Sequence, residues 1–143
     1  MEFKNKKAIR NYHIERTFEA GIVLTGNEIK SIRAGKVNFI DSFAKIVDGE
    51  VWLESLHISQ YKKGFYQKYD PRRPRKLLLK KYEIKRMQKN IEEKGYTLIP
   101  TRIYINEKAL AKVEIAIAKG KREYEKRDKI QKYEAHKEMS KYL

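Results

Sequence analysis

The sequence predicts a mainly β protein, a small β-barrel with flanking helices. Short runs rich in β-branched and aromatic residues recur along its 143 residues, and turn signals separate them. Only seven glycines punctuate these runs, and several short strands at this spacing favour a closed barrel. The chain is 41% hydrophobic, which is enough apolar content for one core, and its length fits a single domain.

The first regular element that we expect is a long strand. Residues 1–12 are polar and basic, and we expect no regular structure before Tyr12. The β-rich run from His13 to Leu24 predicts a strand. Its core candidates are Ile14, Phe18, Ile22 and Leu24.

A short helix is expected next. Thr25 and Glu28 have the spacing of a capping box, in which each side chain accepts a hydrogen bond from a backbone N–H that the helix leaves free. The helix then runs to Ala34, because Gly35 suits the left-handed conformation that ends a helix.

Two hairpins follow, with a loop and a helix between them. Asp48-Gly49 is the strongest short-range signal for a hairpin. Pro71 and Pro74 break up any regular element in the loop, which we expect to be exposed. In chain order we expect β-rich runs at 42–47 and 50–58, the loop at 61–75, a helix at 77–94, and β-rich runs at 96–105 and 113–118. The inward residues of that helix are predicted to be Leu78, Tyr82, Met87 and Ile91, and Gly95 ends it.

This order of elements favours the oligonucleotide-binding (OB) fold, a five-stranded barrel. We assign residues 1–123 to the barrel domain with its flanking helices. Residues 124–143 form a basic C-terminal tail. Because the tail has too little apolar content to fold alone, we expect it to be disordered in the free protein.

The net charge of +15 is unevenly distributed. Twelve basic and two acidic residues lie between positions 60 and 90, and nine basic and five acidic residues lie between 119 and 143. Clusters of this kind are typical of a protein that binds a polyanion, most often nucleic acid. The alternative, a surface that is basic only for solubility, would spread the charge more evenly.

Aromatic residues alternate with cations in the loop at 61–75. One interpretation is that they stack on unpaired bases while the cations hold the RNA backbone. The other is that they pin the loop to its own barrel. These aromatic residues are Tyr61, Phe65, Tyr66 and Tyr69.

The sequence contains no constellation of catalytic or metal-binding residues. His13, His57 and His136 are far apart and share no ligand spacing with acidic residues, and there is no cysteine. The glycines are isolated, and the serines lack a nucleophile-elbow context. We therefore expect a binding protein with no catalytic residue, no metal and no cofactor. Without an apolar run of about 18 residues or a secretory signal, we expect no membrane association and a cytoplasmic location.

Several blocks of the sequence closely resemble the SsrA-binding protein family, also called small protein B. They follow the family's order over nearly the whole chain, with two departures, at Glu107-Lys108-Ala109 and at Glu125. The blocks are Phe18-Glu19-Ala20-Gly21-Ile22-Val23-Leu24, Glu28-Ile29-Lys30-Ser31-Ile32-Arg33-Ala34-Gly35, Asp41-Ser42, Asp70-Pro71-Arg72-Arg73-Pro74-Arg75-Lys76-Leu77-Leu78-Leu79, Gly95-Tyr96-Thr97-Leu98, Lys112-Val113-Glu114-Ile115, Ala118-Lys119-Gly120-Lys121 and Glu125-Lys126-Arg127.

The resemblance implies an OB barrel that binds the tRNA-like domain of transfer-messenger RNA (tmRNA), where it replaces the missing anticodon arm. It further implies delivery of this RNA to stalled ribosomes for trans-translation, the rescue of ribosomes with tagging of the nascent chain. The tail would enter the empty mRNA channel near the decoding region of the small subunit. Elongation factor Tu and alanyl-tRNA synthetase act on the same RNA, so they are implied as indirect partners.

Four positions match RNA contacts of the family: Asn5, Glu19, Leu78 and Lys112. Lys112 can direct a positive charge at a phosphate. Since phosphates repel Glu19, we expect it to accept hydrogen bonds from bases or to hold a basic neighbour. Leu78 on pattern alone belongs to the core, and only the resemblance places it against RNA.

Basic residues after the last β-rich run complete the predicted site. Lys119, Lys121 and Arg122 are expected to bind RNA through their charge. In the tail, Tyr124 beside Lys126 and Arg127 can stack on a base and hold nearby phosphates of the ribosome. Two other functions stay open: an RNA-binding protein of ribosome assembly, and, disfavoured by the lack of a catalytic cluster, an enzyme acting on RNA.

Overall fold

A computed structural model describes residues 1–61 and 68–121 of the chain. Within these ranges one sheet closes on itself and three helices pack outside it. The strands are β1 (Glu2–Lys4), β2 (Tyr12–Ile22), β3 (Val37–Asn38), β4 (Phe43–Val47), β5 (Glu50–Glu54), β6 (His57–Ile58), β7 (Arg75–Leu78), β8 (Thr97–Ile105) and β9 (Ala111–Gly120). The helices are α1 (Lys6–Asn11), α2 (Gly26–Arg33) and α3 (Lys81–Lys94).

Six of these strands form the barrel. The sheet runs β8-β4-β5-β7-β2-β9, and β9 pairs with β8 to close the ring. β1 adds to the far end of β8, while β3 and β6 form a separate two-stranded ribbon. The expected barrel is confirmed, but the described part of the chain supplies six strands to the ring instead of five, because β7 is inserted between β5 and β2.

The barrel interior holds one apolar core. Alternate residues of the strands point inward, as the period-2 geometry of a strand requires. Phe18 and Ile22 of β2 are buried there as predicted, whereas Ile14 and Leu24 are half-buried. Helix α3 adds Met87, which is fully buried in the same core.

Three local signals are confirmed by the structure. Thr25 and Glu28 form the capping box of α2, with reciprocal backbone hydrogen bonds of 3.2 and 3.0 Å. The β4–β5 hairpin turns at Asp48-Gly49, where both residues have positive φ, as a two-residue hairpin turn requires. Gly95 ends α3 in the left-handed conformation.

The N-terminal segment departs from the prediction of an unstructured start. Residues 2–4 form β1 on the edge of β8, and residues 6–11 form α1. Asn5 caps this helix, since its Oδ1 accepts from the N–H of Ala8 at 3.3 Å. The pairing with β8 joins residues about one hundred positions apart, so no pattern of neighbouring residues could predict this strand.

The boundary of the predicted helix at 77–94 is also wrong. Residues 75–78 form β7, and the helix begins at Lys81. Leu78 and Tyr82 are therefore exposed, at 55% and 64%, instead of inward. The alternation of Arg75-Lys76-Leu77-Leu78 fits a strand with a buried first and third residue, and pairing with β5 and β2 selects it.

The predicted exposed loop is partly a buried anchor. Arg75 is fully buried and donates from Nε to Oε2 of Glu28 at 2.7 Å. Arg73 also forms an ion pair with this carboxylate. The hydroxyl of Tyr69 donates to the carbonyl oxygen of Ile58 at 2.8 Å and lies 3.2 Å from Nη2 of Arg75. For Tyr69 the pinning interpretation is therefore correct, while Phe65 and Tyr66 lie outside the described residues.

Candidate nucleic-acid interface

Strand register aligns five residues across the outside of the barrel. Glu2 faces Tyr104, Tyr104 faces Lys112, Lys112 faces Gly21, and Gly21 faces Leu78. We call this set the outer row. It crosses five neighbouring strands, which lie about 4.8 Å apart, and its members share one surface of the sheet. Two residues predicted to contact RNA, Lys112 and Leu78, share the row.

Glu19 precedes Gly21 by two residues on β2 and therefore lies on the same face of the sheet as the outer row. It is exposed and pairs in register with Glu114. Like charges opposite each other on a sheet repel, but Glu114 is engaged by Arg102, whose Nε donates to it at 2.8 Å. Thr101 also donates to Glu114, at 2.8 Å. These bonds hold Glu114 toward β8 and leave Glu19 as the outward carboxylate of the pair.

Tyr104 connects Glu19 to the outer row. Burial, a hydrogen bond to Glu19 and the negative charge of that carboxylate together raise the pKa of Tyr104 to about 12. The guanidinium of Arg102 lies over the Tyr104 ring at 4.4 Å. Acceptor, hydroxyl, ring and cation thus occupy one patch beside Lys112, a mixture that can read base edges as well as hold phosphates.

Leu78 packs over Gly21, its register partner on β2. A methyl group added at Gly21 would lie 3.3 Å from Cβ of Leu78, which is closer than ordinary packing. The glycine therefore lets the leucine side chain lie across β2 while 55% of it stays exposed. An exposed leucine beside Lys112 offers an apolar surface next to a phosphate-directed charge.

Asn5 lies outside the outer row, between β1 and α1. Its Nδ2 donates to the carbonyl oxygen of Pro100 at 2.8 Å, in addition to its cap on Ala8. The backbone N–H of Asn5 donates to Thr101 at 2.8 Å. The side chain is thus engaged in fastening α1 to β8.

The basic residues at the end of β9 are separated from the outer row. Lys119 lies at the opposite end of β9 from Lys112, with its Nζ 4.4 Å from the centre of the Tyr96 ring. Lys121 is exposed directly after the strand. The other predicted contacts, Arg122, Tyr124, Lys126 and Arg127, lie outside the described residues.

The described residues also bear on metal binding and on membrane crossing. Among residues 1–61 and 68–121, no group of three or more His, Asp or Glu side chains is arranged to hold a metal ion. In the same ranges no helix is long and apolar enough to cross a membrane.

Sequence reasoning missed Tyr104, Arg102 and Gly21 as members of the candidate interface. A tyrosine, an arginine or a glycine does not by itself indicate an RNA-binding position. These three join the site because β8, β9 and β2 place them on one face. The available signal in the sequence was the alternation of polar and apolar residues at 102–105 in β8 and at 111–115 in β9.

The closed six-stranded barrel, with lysine, carboxylate and aromatic side chains on its outer face, places this protein in the class of OB-fold proteins. The family model described as "SmpB protein" matches residues 2–143. The chain therefore belongs to the SmpB family.

Individual relatives agree with this assignment. The chain is 52% identical over 139 residues to an SsrA-binding protein of Fervidobacterium nodosum, covering 97% of this chain and 93% of the relative. It is 51% identical over 140 residues to an SsrA-binding protein of Symbiobacterium thermophilum, covering 98% and 89%. A solved structure described as "tmRNA-SmpB: a journey to the center of the bacterial ribosome" contains a chain 51% identical to this one, with a TM-score of 0.71 and 83% of each chain covered.

Proposed function

We propose that this protein binds the tRNA-like domain of tmRNA and delivers it to stalled ribosomes for trans-translation. The observation that carries the proposal is the outer row, which brings Lys112 and Leu78 together on one face with Glu19 beside them. The names of its relatives, SsrA-binding proteins, support this RNA as the ligand.

Each of the three residues has a distinct task in this proposal. Lys112 neutralises a phosphate and releases condensed counterions. Glu19 accepts hydrogen bonds from the donor groups of bases, because its charge disfavours phosphate. Leu78 packs against the apolar surface of an exposed base or ribose, which RNA offers in its loops.

The second half of the proposal concerns the ribosome. The C-terminal tail, with Tyr124, Lys126 and Arg127, binds the small subunit in the decoding region and the mRNA channel. Elongation factor Tu and alanyl-tRNA synthetase act as indirect partners through the shared RNA. The protein acts by binding, without catalysis, in the cytoplasm.

Filter binding of a tRNA-like-domain transcript tests the proposal. Leu78→Ala should weaken binding at least fivefold, about 1 kcal/mol. Lys112→Ala should also flatten the dependence of log affinity on log salt by about one unit. Phe43→Ala is the control: Phe43 is 41% exposed on β4, outside the outer row.

Equal affinities for Leu78→Ala and Phe43→Ala would contradict the proposed face. If the RNA that co-purifies with the protein from cells were bulk ribosomal RNA instead of one discrete RNA, the function would be wrong and a role in ribosome assembly would replace it.

A further inference from the structure

A cleft lies beside β1, whose three residues contribute to its lining. The cleft has a volume of about 890 Å³ and separates α1 from the segment 37–42. This volume is in the range of pockets that bind small ligands. We call it the α1 cleft. Its lining includes Phe3, Tyr12, Phe39, Lys6, Lys7 and Arg10.

The walls of the α1 cleft carry aromatic rings. Phe3, Tyr12 and Phe39 line it, and each is half-buried, so part of every side chain is accessible. Ile40 is 54% exposed at the same wall. Aromatic side chains that bind unpaired bases do so by stacking, which every base allows because each has a π-face.

The rim of the α1 cleft is positively charged. Lys6, Lys7, Arg10 and Lys121 line it and are exposed, and within the described ranges none of them forms an ion pair. The lining also has two carboxylates, Glu2 and Asp41, and Arg102 pairs with Glu2 at 3.2 Å. A polyanion therefore meets an excess of uncompensated cations at this rim.

Both walls are held in place by hydrogen bonds. Asn5 fixes α1 to β8. On the opposite wall, Oδ1 of Asn38 accepts from the N–H of Ile40 at 2.9 Å, and Oγ of Ser42 donates to the carbonyl oxygen of Phe39 at 2.6 Å. Asp41 holds a positive φ of 63° within this turn. A site shaped before its ligand arrives loses less conformational entropy on binding.

We propose that the α1 cleft receives an unpaired nucleotide of the tRNA-like domain, with its base against Phe39 and its flanking phosphates at Lys6 and Lys7. This inference rests on the proposed function. Continuity supports the same RNA as occupant, because Glu2 belongs to both the outer row and the cleft. In this arrangement Asn5 is a positioning residue, since it holds the basic wall in place.

Charge argues against the chain's own C-terminal residues as the occupant. Residues 119–143 contain nine basic and five acidic residues, so they would bring further positive charge to a rim that is already basic. RNA brings the opposite charge.

Filter binding of the tRNA-like-domain transcript to full-length variants tests the inference. Phe39→Leu keeps an apolar side chain and removes the ring, and we expect about tenfold weaker binding, within the range for loss of one stacked base. Phe43→Leu, the same change at an exposed position outside the cleft, should stay within about twofold. Circular dichroism melting checks that both variants fold.

A second pair of variants avoids the packing of Phe39 altogether. Ile40→Glu places a negative charge at the cleft wall and should weaken binding, whereas Val47→Glu, at a residue 43% exposed on β4, should weaken it less. The same variants are also measured for binding to empty 70S ribosomes without tmRNA.

The outcomes separate the two proposals. If Phe39→Leu and Ile40→Glu bind the transcript as well as their controls do, the cleft inference is wrong. The proposed function is then still supported by the wild-type affinity for the transcript and by the effect of Leu78→Ala. Loss of ribosome binding with unchanged transcript binding also overturns the inference, because the occupant is then ribosomal RNA. A wild-type protein that does not bind the transcript overturns both.

Discussion

Arg75 and Glu28 form an ion pair inside the protein, with Nε of the arginine 2.7 Å from Oε2 of the carboxylate and both side chains almost fully buried. The pair joins the first turn of α2 to the first residue of β7. Since Leu78 is three residues further along β7, the pair fixes the strand that carries a residue of the outer row.

Glu28→Gln should destabilise the fold by about 3–5 kcal/mol, because it leaves a buried arginine without its counter-charge. The free energy of unfolding in urea measures this effect. Glu50→Gln is the matched control: Glu50 pairs with Lys76 at 3.2 Å, but both side chains are well exposed. Its cost should be about 0–1 kcal/mol. If both variants lost a similar free energy of unfolding, burial of the Glu28–Arg75 pair would not affect its contribution to stability.

Stability should fall with acid through the same carboxylate. Burial alone would raise the pKa of Glu28, but hydrogen bonds from Arg73, the Thr25 backbone and Arg75 outweigh it and lower this pKa below its usual value. A lowered pKa in the folded state stabilises the fold above the unfolded-state pKa, and this contribution is lost as pH falls through the folded-state pKa. Unfolding free energies at successive pH values below neutrality should therefore decline more steeply for the wild type than for Glu28→Gln. If the unfolding free energies of the two proteins declined in parallel, the acid sensitivity would not come from Glu28.

Glu19→Gln should lower the pKa of Tyr104 from about 12 toward the ordinary tyrosine value, because it removes a charge that disfavours the phenolate. NMR titration of the Tyr104 ring measures the shift. Since a folded-state pKa raised above the unfolded value favours the protonated form, its stabilisation is lost as pH rises toward 12. The same variant should weaken RNA binding by about 1–3 kcal/mol. Tighter binding by the Gln variant would show that Glu19 merely lies near phosphate.

Gly21→Ala should displace Leu78, because the new methyl group would lie 3.3 Å from its Cβ. We expect a loss of about 1 kcal/mol in stability and weaker RNA binding. Gly26→Ala is the control, since nothing lies within 4 Å of a methyl group there. It should leave RNA binding unchanged and keep or slightly raise stability. If Gly21→Ala binds RNA as wild type does, the position of Leu78 does not matter to the interface.

Deletion of residues 124–143 should separate the two halves of the proposed function. The barrel, its core and the outer row lie within residues 1–121, so the shortened protein should fold and bind the tRNA-like domain. Tagging of nascent chains on reconstituted stalled ribosomes should be abolished. Substitutions at Tyr124, Lys126 and Arg127 should reproduce the defect in weaker form. Equal loss of RNA affinity and tagging would assign the tail to the RNA-binding surface instead.

Local features of the fold were predictable from the sequence because each depends on residues close together in the chain. The capping box of α2 and the turn at Asp48-Gly49 need only a few neighbouring residues, and the left-handed end of α3 needs Gly95. The mainly β class and the long strand β2 followed from residue type and alternation. The resemblance to the SsrA-binding protein family named Lys112, Leu78 and Glu19 as contacts without showing that they meet.

Tertiary structure alone decided which residues share a surface. β7 became a strand because β5 and β2 provide its hydrogen-bond partners, although its last two residues, Leu77 and Leu78, were predicted as the start of a helix. That pairing turned Leu78 outward and buried Arg75 against Glu28. The outer row draws on five strands spread from Glu2 to Lys112, so its existence depends on register across the closed barrel. Register is set by burying the opposite face of each strand, and this is a property of the whole core that no single segment contains.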